Sequence, residues 1–212
     1  MRINAPSRAG RASALAACIG ALALTAACGS SAPPSAASGA SSTHHPMASH
    51  SAAASAAFGS DCGMVPATGM GSLHGMMTDP VVTAASHNPL LTTLAADVKA
   101  AGLTTELNSM GSITVFAPAN TAFSELPHST AMSMMHNPKE LAKVLKYHVV
   151  SGHITTAQLA SGKPLTTLEG STLKPSKMGA VYEVNNAGII CGNIHTANAT
   201  VYIINKVLTP MH

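Results

Sequence analysis

Tryptophan is absent from this 212-residue chain, and phenylalanine and tyrosine together supply only six residues. Acids are few, eight Asp plus Glu in all, and arginine occurs only at Arg2, Arg8 and Arg11. Each shortage closes off a class of function. Eight scattered acids make no cluster able to hold a hard cation through several carboxylates, and no carboxylate pair stands out for acid–base work. With no arginine beyond residue 11, the body of the chain has no guanidinium fork for phosphate or carboxylate. It has no basic patch of the nucleic-acid-binding kind either. There is no Cys-x-x-Cys, so thiol redox catalysis is unexpected. There is also no Gly-x-Ser-x-Gly elbow, and no orienting acid stands at a readable spacing from His148. The chain therefore reads as a non-enzyme, with no cofactor and no nucleic-acid partner.

What is present begins with a leader. The three arginines precede an apolar run, Ala12 to Ala27. That is the layout of a secretory signal peptide, and the run is too short and too rich in alanine for a membrane span. The junction Leu24-Thr25-Ala26-Ala27-Cys28-Gly29 resembles the lipobox of bacterial lipoproteins, although Leu24 stands four positions before the cysteine where the motif has it three before. Residues 1–27 are thus expected to be removed and Cys28 to carry lipid; ordinary cleavage after Ala27 is the alternative. Loss of the leader leaves eight lysines against eight acids, so the pI of 8.8 belongs mainly to the leader. Residues 28–60 follow as a Ser/Ala/Pro/Gly linker that cannot bury enough apolar surface to fold. Its reach is roughly 30 Å for about 30 residues, and it carries His44, His45, Met47 and His50.

Residues 61–212 are enough for one domain with a real core. Three Asx-Pro pairs mark helix starts: Asp79-Pro80, Asn88-Pro89 and Asn137-Pro138, the last with Glu140 at the capping-box position. Leu90, Leu91, Leu94 and Val98 continue the second helix to Gly102, and Leu141, Val144, Leu145 and His148 line one face of the third. A short helix is expected from Thr156 to Ser161. Beyond Gly162 the runs Leu165–Leu168, Ser171–Leu173, Val181–Val184, Ile189–Cys191 and Val201–Leu208 favour strands. Helices first and strands later, with one early strand at Thr114–Ala117, indicate an α+β fold.

That early strand is the most informative stretch. Thr114-Val115-Phe116-Ala117-Pro118-Ala119-Asn120-Thr121-Ala122-Phe123 is a β-favouring run stopped by Pro118. Asn120 is placed to cap a short helix that returns Phe123 to the core. The segment resembles the first box of the fasciclin domain, with Ala119 and Thr121 where that family often has Thr and an acid. Tyr147-His148-Val149-Val150 matches the family's Tyr-His pair. Gly192 to Pro210, with Asn198, Ile203 and Pro210, matches its last box. The resemblance implies a fasciclin-like fold, a twisted β-sheet wedge with helices packed along one edge. Phe116, Phe123, Tyr147 and Ile203 are expected in the core. Thr114, Val115, Pro118, Asn120, His148, Asn198 and Pro210 are expected to act structurally.

With Cys28 lipidated, Cys62 and Cys191 remain, and pairing is the default in an oxidising envelope. Secreted actinobacterial fasciclin antigens look similar, with one cysteine before the domain and one in a late strand. His148 reads as a packed histidine whose ring bonds the backbone. The sequon Asn198-Ala199-Thr200 reads as structural. The unusual excess is twelve methionines and eleven histidines, which suit copper, with thioether especially favouring Cu(I). Met132, Met135 and His136 fall on one helical face, with Met134 elsewhere. The reading is an exported, lipid-anchored adhesion or interaction module, monomeric, with a protein or polysaccharide partner at the cell surface; copper binding is the alternative.

Overall fold

A computed structural model describes residues 56–210. The leader, Cys28 and His44–His50 lie outside the described residues. The domain reaches back into residues ascribed to the linker: Phe58 bridges Gly192 in antiparallel fashion. A 3-10 turn at Cys62–Met64 follows. Then come helices α1 (Leu73–Met76), α2 (Val81–His87), α3 (Thr92–Ala100) and α4 (Thr104–Ser109), before strand β1 (Ile113–Pro118). Helices α5 (Asn120–Ser124), α6 (His128–His136) and α7 (Pro138–Tyr147) lead into β2 (Val149–Ser151) and α8 (Thr156–Ala160). The remainder is β3 (Leu165–Thr166), β4 (Thr172–Leu173), β5 (Pro175–Met178), β6 (Val181–Val184), β7 (Ala187–His195) and β8 (Ala199–Ile204). This is the α+β class expected.

One sheet has the order β2-β1-β8-β7-β6-β5, and β3 pairs with β4 apart from it. The first and last family boxes are neighbours at its centre: β1 and β8 run parallel, Ile113 opposite Ala199 through Pro118 opposite Ile204. Every residue of both strands is buried, as expected of strands covered on both faces. Pro118 ends β1. Its parity is that of Phe116, whose N–H bonds the His148 carbonyl on the β2 side. The donor that proline lacks therefore faces a side where β2 no longer runs.

Strand β5 was not anticipated. Pro175-Ser176-Lys177-Met178 has weak strand propensity, but it pairs with β6 at the sheet edge, where proline is tolerated. Two irregularities interrupt the β7–β8 register on either side of Cys191. Asn193 takes a left-handed φ of 58° within the second of them, a conformation that asparagine tolerates better than most residues. Cys191 is joined to Cys62 by a disulfide spanning 129 residues, which fastens the N-terminal segment to β7.

The three Asx-Pro pairs have three different outcomes. Asn137 caps α7, accepting from the N–H groups of Lys139 and Glu140 at 3.1 and 3.3 Å. Asn88 Oδ1 makes a local turn to the Leu90 N–H while its Nδ2 donates to the Met76 sulfur, and α3 begins four residues later, at Thr92. Asp79 does not cap α2; its carboxylate faces the His87 ring at 3.2 Å. The caps for these two helices come from far away in sequence.

Candidate interaction surface

The polar residues of the family boxes are engaged inside the fold. Asn120, expected to cap α5, instead caps α3: Oδ1 accepts from the Thr93 N–H at 3.0 Å, and Nδ2 donates to the Pro89 carbonyl at 2.8 Å. Helix α5 has no side-chain cap. Asn198 serves two helices at once. Its Oδ1 accepts from the Val81 N–H at the start of α2, and its Nδ2 donates to the Leu107 and Met110 carbonyls at the end of α4. Asn108 adds a bond to the Val82 N–H. Thr114 Oγ1 donates to the Gly152 carbonyl and accepts from the Ile154 N–H, 2.7 and 2.8 Å away.

His148 is almost wholly buried. Nε2 accepts from the Leu208 N–H at 2.9 Å. The neutral ring therefore carries its proton on Nδ1, which donates to the Val144 carbonyl at 2.8 Å. Burial lowers its pKa to about 4, because a charged imidazolium there would lose its hydration. With both nitrogens bonded to backbone, the ring has no free position for proton transfer. Tyr147 and Tyr202 end likewise in internal bonds. Asn185 Nδ2 donates to the Tyr147 hydroxyl at 2.8 Å. The Tyr202 hydroxyl donates to the Ile154 carbonyl at 2.6 Å, and burial pushes its pKa up to about 12. Phe116, Tyr147 and Ile203 are core residues. Phe123 is not: it is half-buried, because the short helix α5 leaves it at the edge of the helical layer.

The surface chemistry lies elsewhere. A groove of about 200 Å³ runs between α3, α5, α6 and α7, lined by Thr93, Asp97, Phe123, Leu126, Met134 and Leu141. Burial pushes the Asp97 carboxyl above its ordinary range. The groove can take an apolar group beside one carboxyl. Helix α6 seats itself through Met134, whereas Met132 is 43 % exposed. His136 is exposed, and its Nδ1 faces the Met132 carbonyl at 2.8 Å. The Met135 side chain lies outside what is described. Met132 and His136 thus stand in solvent and are not packed against β1. Among the described residues, no three His, Cys, Asp or Glu side chains gather as an ion would require.

Comparison with known proteins agrees with this architecture. The chain is 44% identical over 148 residues to the immunogenic protein MPB70 of Mycobacterium bovis, covering 68% of this chain and 75% of that protein. It is 38% identical over 221 residues to the cell surface glycolipoprotein MPB83 of the same species, covering 98% of both. It is 39% identical over 132 residues to protein sll1483 of Synechocystis, covering 61% of this chain and 73% of that one. Among solved structures, a FAS1 domain pair from the insect cell adhesion molecule Fasciclin I superposes with a TM-score of 0.55 at 14% identity, covering 64% of this chain and 52% of that one. That likeness bears on the fold alone. The fasciclin domain model matches residues 89–210, more than half of the chain, and takes in all three boxes: the chain belongs to the fasciclin domain family.

Proposed function

We propose that this chain is a non-catalytic adhesion and interaction module of a bacterial cell envelope, exported through residues 1–27 and held at the membrane by lipid on Cys28. One observation carries the reading: the 38% identity to a cell surface glycolipoprotein extends over 98% of both chains, so the aligned length takes in the leader and the Cys28 junction as well as the domain. The geometry supports the absence of catalysis. The histidine of the second box has both nitrogens bonded to backbone, and the amides of the other boxes are helix caps. The partner is a protein or polysaccharide of the cell surface or matrix, met by a monomer.

Two experiments test this. Wild-type protein is expected in the membrane fraction with an acylated N-terminal cysteine by mass spectrometry, and Cys28→Ala is expected in the medium; an unacylated mature N-terminus would reject the anchor. Beads coated with the exported Cys28→Ala chain should adhere to cells of the producing strain and be released by free protein. Retention no greater than that of albumin-coated beads would reject adhesion.

A second reading, copper binding, is supported by the exposure of Met132 and His136, for which core packing gives no reason. Cu(I) titration of the exported chain tests it.

A further inference from the structure

Among the described residues the most exposed of the large apolar side chains is Met178, at 70 %. It ends β5, where the two-residue turn Gly179-Ala180 reverses the chain into β6. We propose that the tip of this hairpin inserts Met178 and Val181 into the surface of an anionic phospholipid bilayer. The contact rests on the lipid-anchored reading above for its effective concentration, and on the hairpin alone for its chemistry.

The strand register sorts the side chains. Pro175 lies opposite Val184, Lys177 opposite Tyr182, and Met178 opposite Val181. Opposed residues share a face, and successive residues alternate between faces. Pro175 and Val184 are buried. Lys177 and Tyr182 follow them on the aromatic side, with the Lys177 ammonium 5.0 Å from the centre of the Tyr182 ring. Met178 and Val181 take the other face, and Val181 is 49 % exposed. Directly opposed Cβ atoms stand about 5 Å apart, so the two make one apolar pair. Every residue from Lys177 to Val181 is exposed.

This tip suits lipid better than sugar. From Met178 to Val181 no side chain can donate or accept a hydrogen bond to a hydroxyl. A bilayer interface asks for a small apolar area with cations at its margin. Lys177 adjoins the tip, and Lys174 precedes β5. Lys163 follows Gly162, where a Cβ would lie 3.6 Å from the Pro175 carbonyl oxygen. Against these three lysines the hairpin carries one acid, Glu183, opposite Ser176. Glu169, between β3 and β4, faces Lys143 of α7 at 3.9 Å. The excess is positive and complements anionic head groups, to which each nearby lysine adds roughly fivefold in affinity.

The chain also enters the domain beside this hairpin. Phe58 bridges Gly192, and its ring lies 5.1 Å from that of Tyr182, the neighbour of Val181. Residues 29–55 separate Cys28 from the first described residue, Ala56, and their composition sets a reach of roughly 30 Å. With Cys28 in the membrane, the hairpin meets lipid at an effective concentration in the millimolar range. A contact too weak to hold a free protein is then populated in an anchored one.

The chain has no tryptophan, so Met178→Trp places a reporter at the tip alone. It is studied in the acylated chain reconstituted into vesicles of equal parts phosphatidylcholine and phosphatidylglycerol, and in the Cys28→Ala chain added to the same vesicles. In the acylated form its emission should shift to the blue and be quenched by lipids spin-labelled on the acyl chain. The Cys28→Ala form should reach the same shift only with lipid in the millimolar range. Met132→Trp, on α6, should stay red in both. In co-sedimentation of the Cys28→Ala chain without a reporter, Met178→Ser/Val181→Ser should weaken binding about tenfold and Lys177→Gln about fivefold. These positions are exposed, and far-UV circular dichroism checks that the fold is retained. Red, unquenched emission from Met178→Trp in both forms would overturn the hairpin contact and leave the anchor. Binding that the serine and glutamine substitutions leave unchanged would overturn it as well. A wild-type chain found unacylated, with a Cys28→Ala chain that still binds through the hairpin, would reject the anchor and keep the contact.

Discussion

On the side of the sheet that meets the helices, the buried residues are aliphatic chains, alanines, two methionines and Cys191: Ile113, Val115 and Ala117 from β1, and Ala199, Val201 and Ile203 from β8, among others. On the opposite side five of the six aromatic rings gather: Phe116, Tyr147 and Tyr202 buried, with Phe58 and Tyr182 against them. Phe116 lies 5.7 Å from Tyr202, and Phe58 lies 5.1 Å from Tyr182 and 6.2 Å from Tyr202, centroid to centroid. The difference follows from what covers each face. The helical layer delivers many small side chains. The other face has α8, β3 with β4, the β5–β6 hairpin and the returning segment at Phe58, so each residue must cover more area, and rings do so. Gly192 makes room for them: a Cβ there would come within 2.7 Å of the Phe58 and Tyr202 rings. The helical face has a different device, since asparagines from the strand ends and from between elements supply the caps its short helices lack locally.

The largest effect should come from the aromatic face. Phe116→Ala is expected to cost about 3–5 kcal/mol, read by chemical denaturation; a loss under about 1 kcal/mol would mean the rings are no core. Cutting the tie between the Phe58 segment and β7 should cost less. Cys191→Ser is expected to lower stability by about 2–4 kcal/mol with near-UV circular dichroism retained, and an unchanged midpoint would deny the clamp.

His148 touches both sides, because it lines a small cavity with Leu94, Val98 and Val115 of the helical face and bonds Leu208 of the aromatic one. Its folded pKa of about 4 lies below the ordinary 6.5. The unfolded chain therefore binds the proton first, and the contribution is complete above about pH 6.5 and lost as pH falls toward 4. Between pH 7 and pH 4.5 the loss should be about 2 kcal/mol, and it should vanish from the difference curve of His148→Gln. A wild-type pH slope equal to that of the variant would contradict the buried neutral ring.

On the helical face alone, Asn198→Ala should cost about 1–2 kcal/mol by orphaning the ends of α2 and α4, with hydrogen exchange rising first at Val81. Protection there equal to wild type would show the cap to be dispensable. The smallest effect is assigned to Phe123→Ala, about 1 kcal/mol for a half-buried ring. A cost matching that of Phe116→Ala would erase the contrast between centre and edge.

What the chain order alone determined is what adjacent residues settle among themselves. The β-favouring run into Pro118 marks a strand and its end. Asn137-Pro138 with Glu140 marks a helix start whose cap lies within three residues. Two cysteines outside the leader and its junction leave a single pairing. Tertiary structure decided whatever depends on a partner distant in sequence. Asn120 and Asn198 were recognisable as structural residues, but the N–H groups they meet lie 27 and 117 residues away. Asn88-Pro89 looks locally like Asn137-Pro138 and yet opens no helix, because α3 takes its cap from Asn120. Phe123 has the composition of a core residue and lies at the margin because α5 is short. A side-chain amide or an imidazole accepts many partners at similar energy, so its choice is made by the packing of apolar faces, which brings one partner within reach and leaves the others outside it.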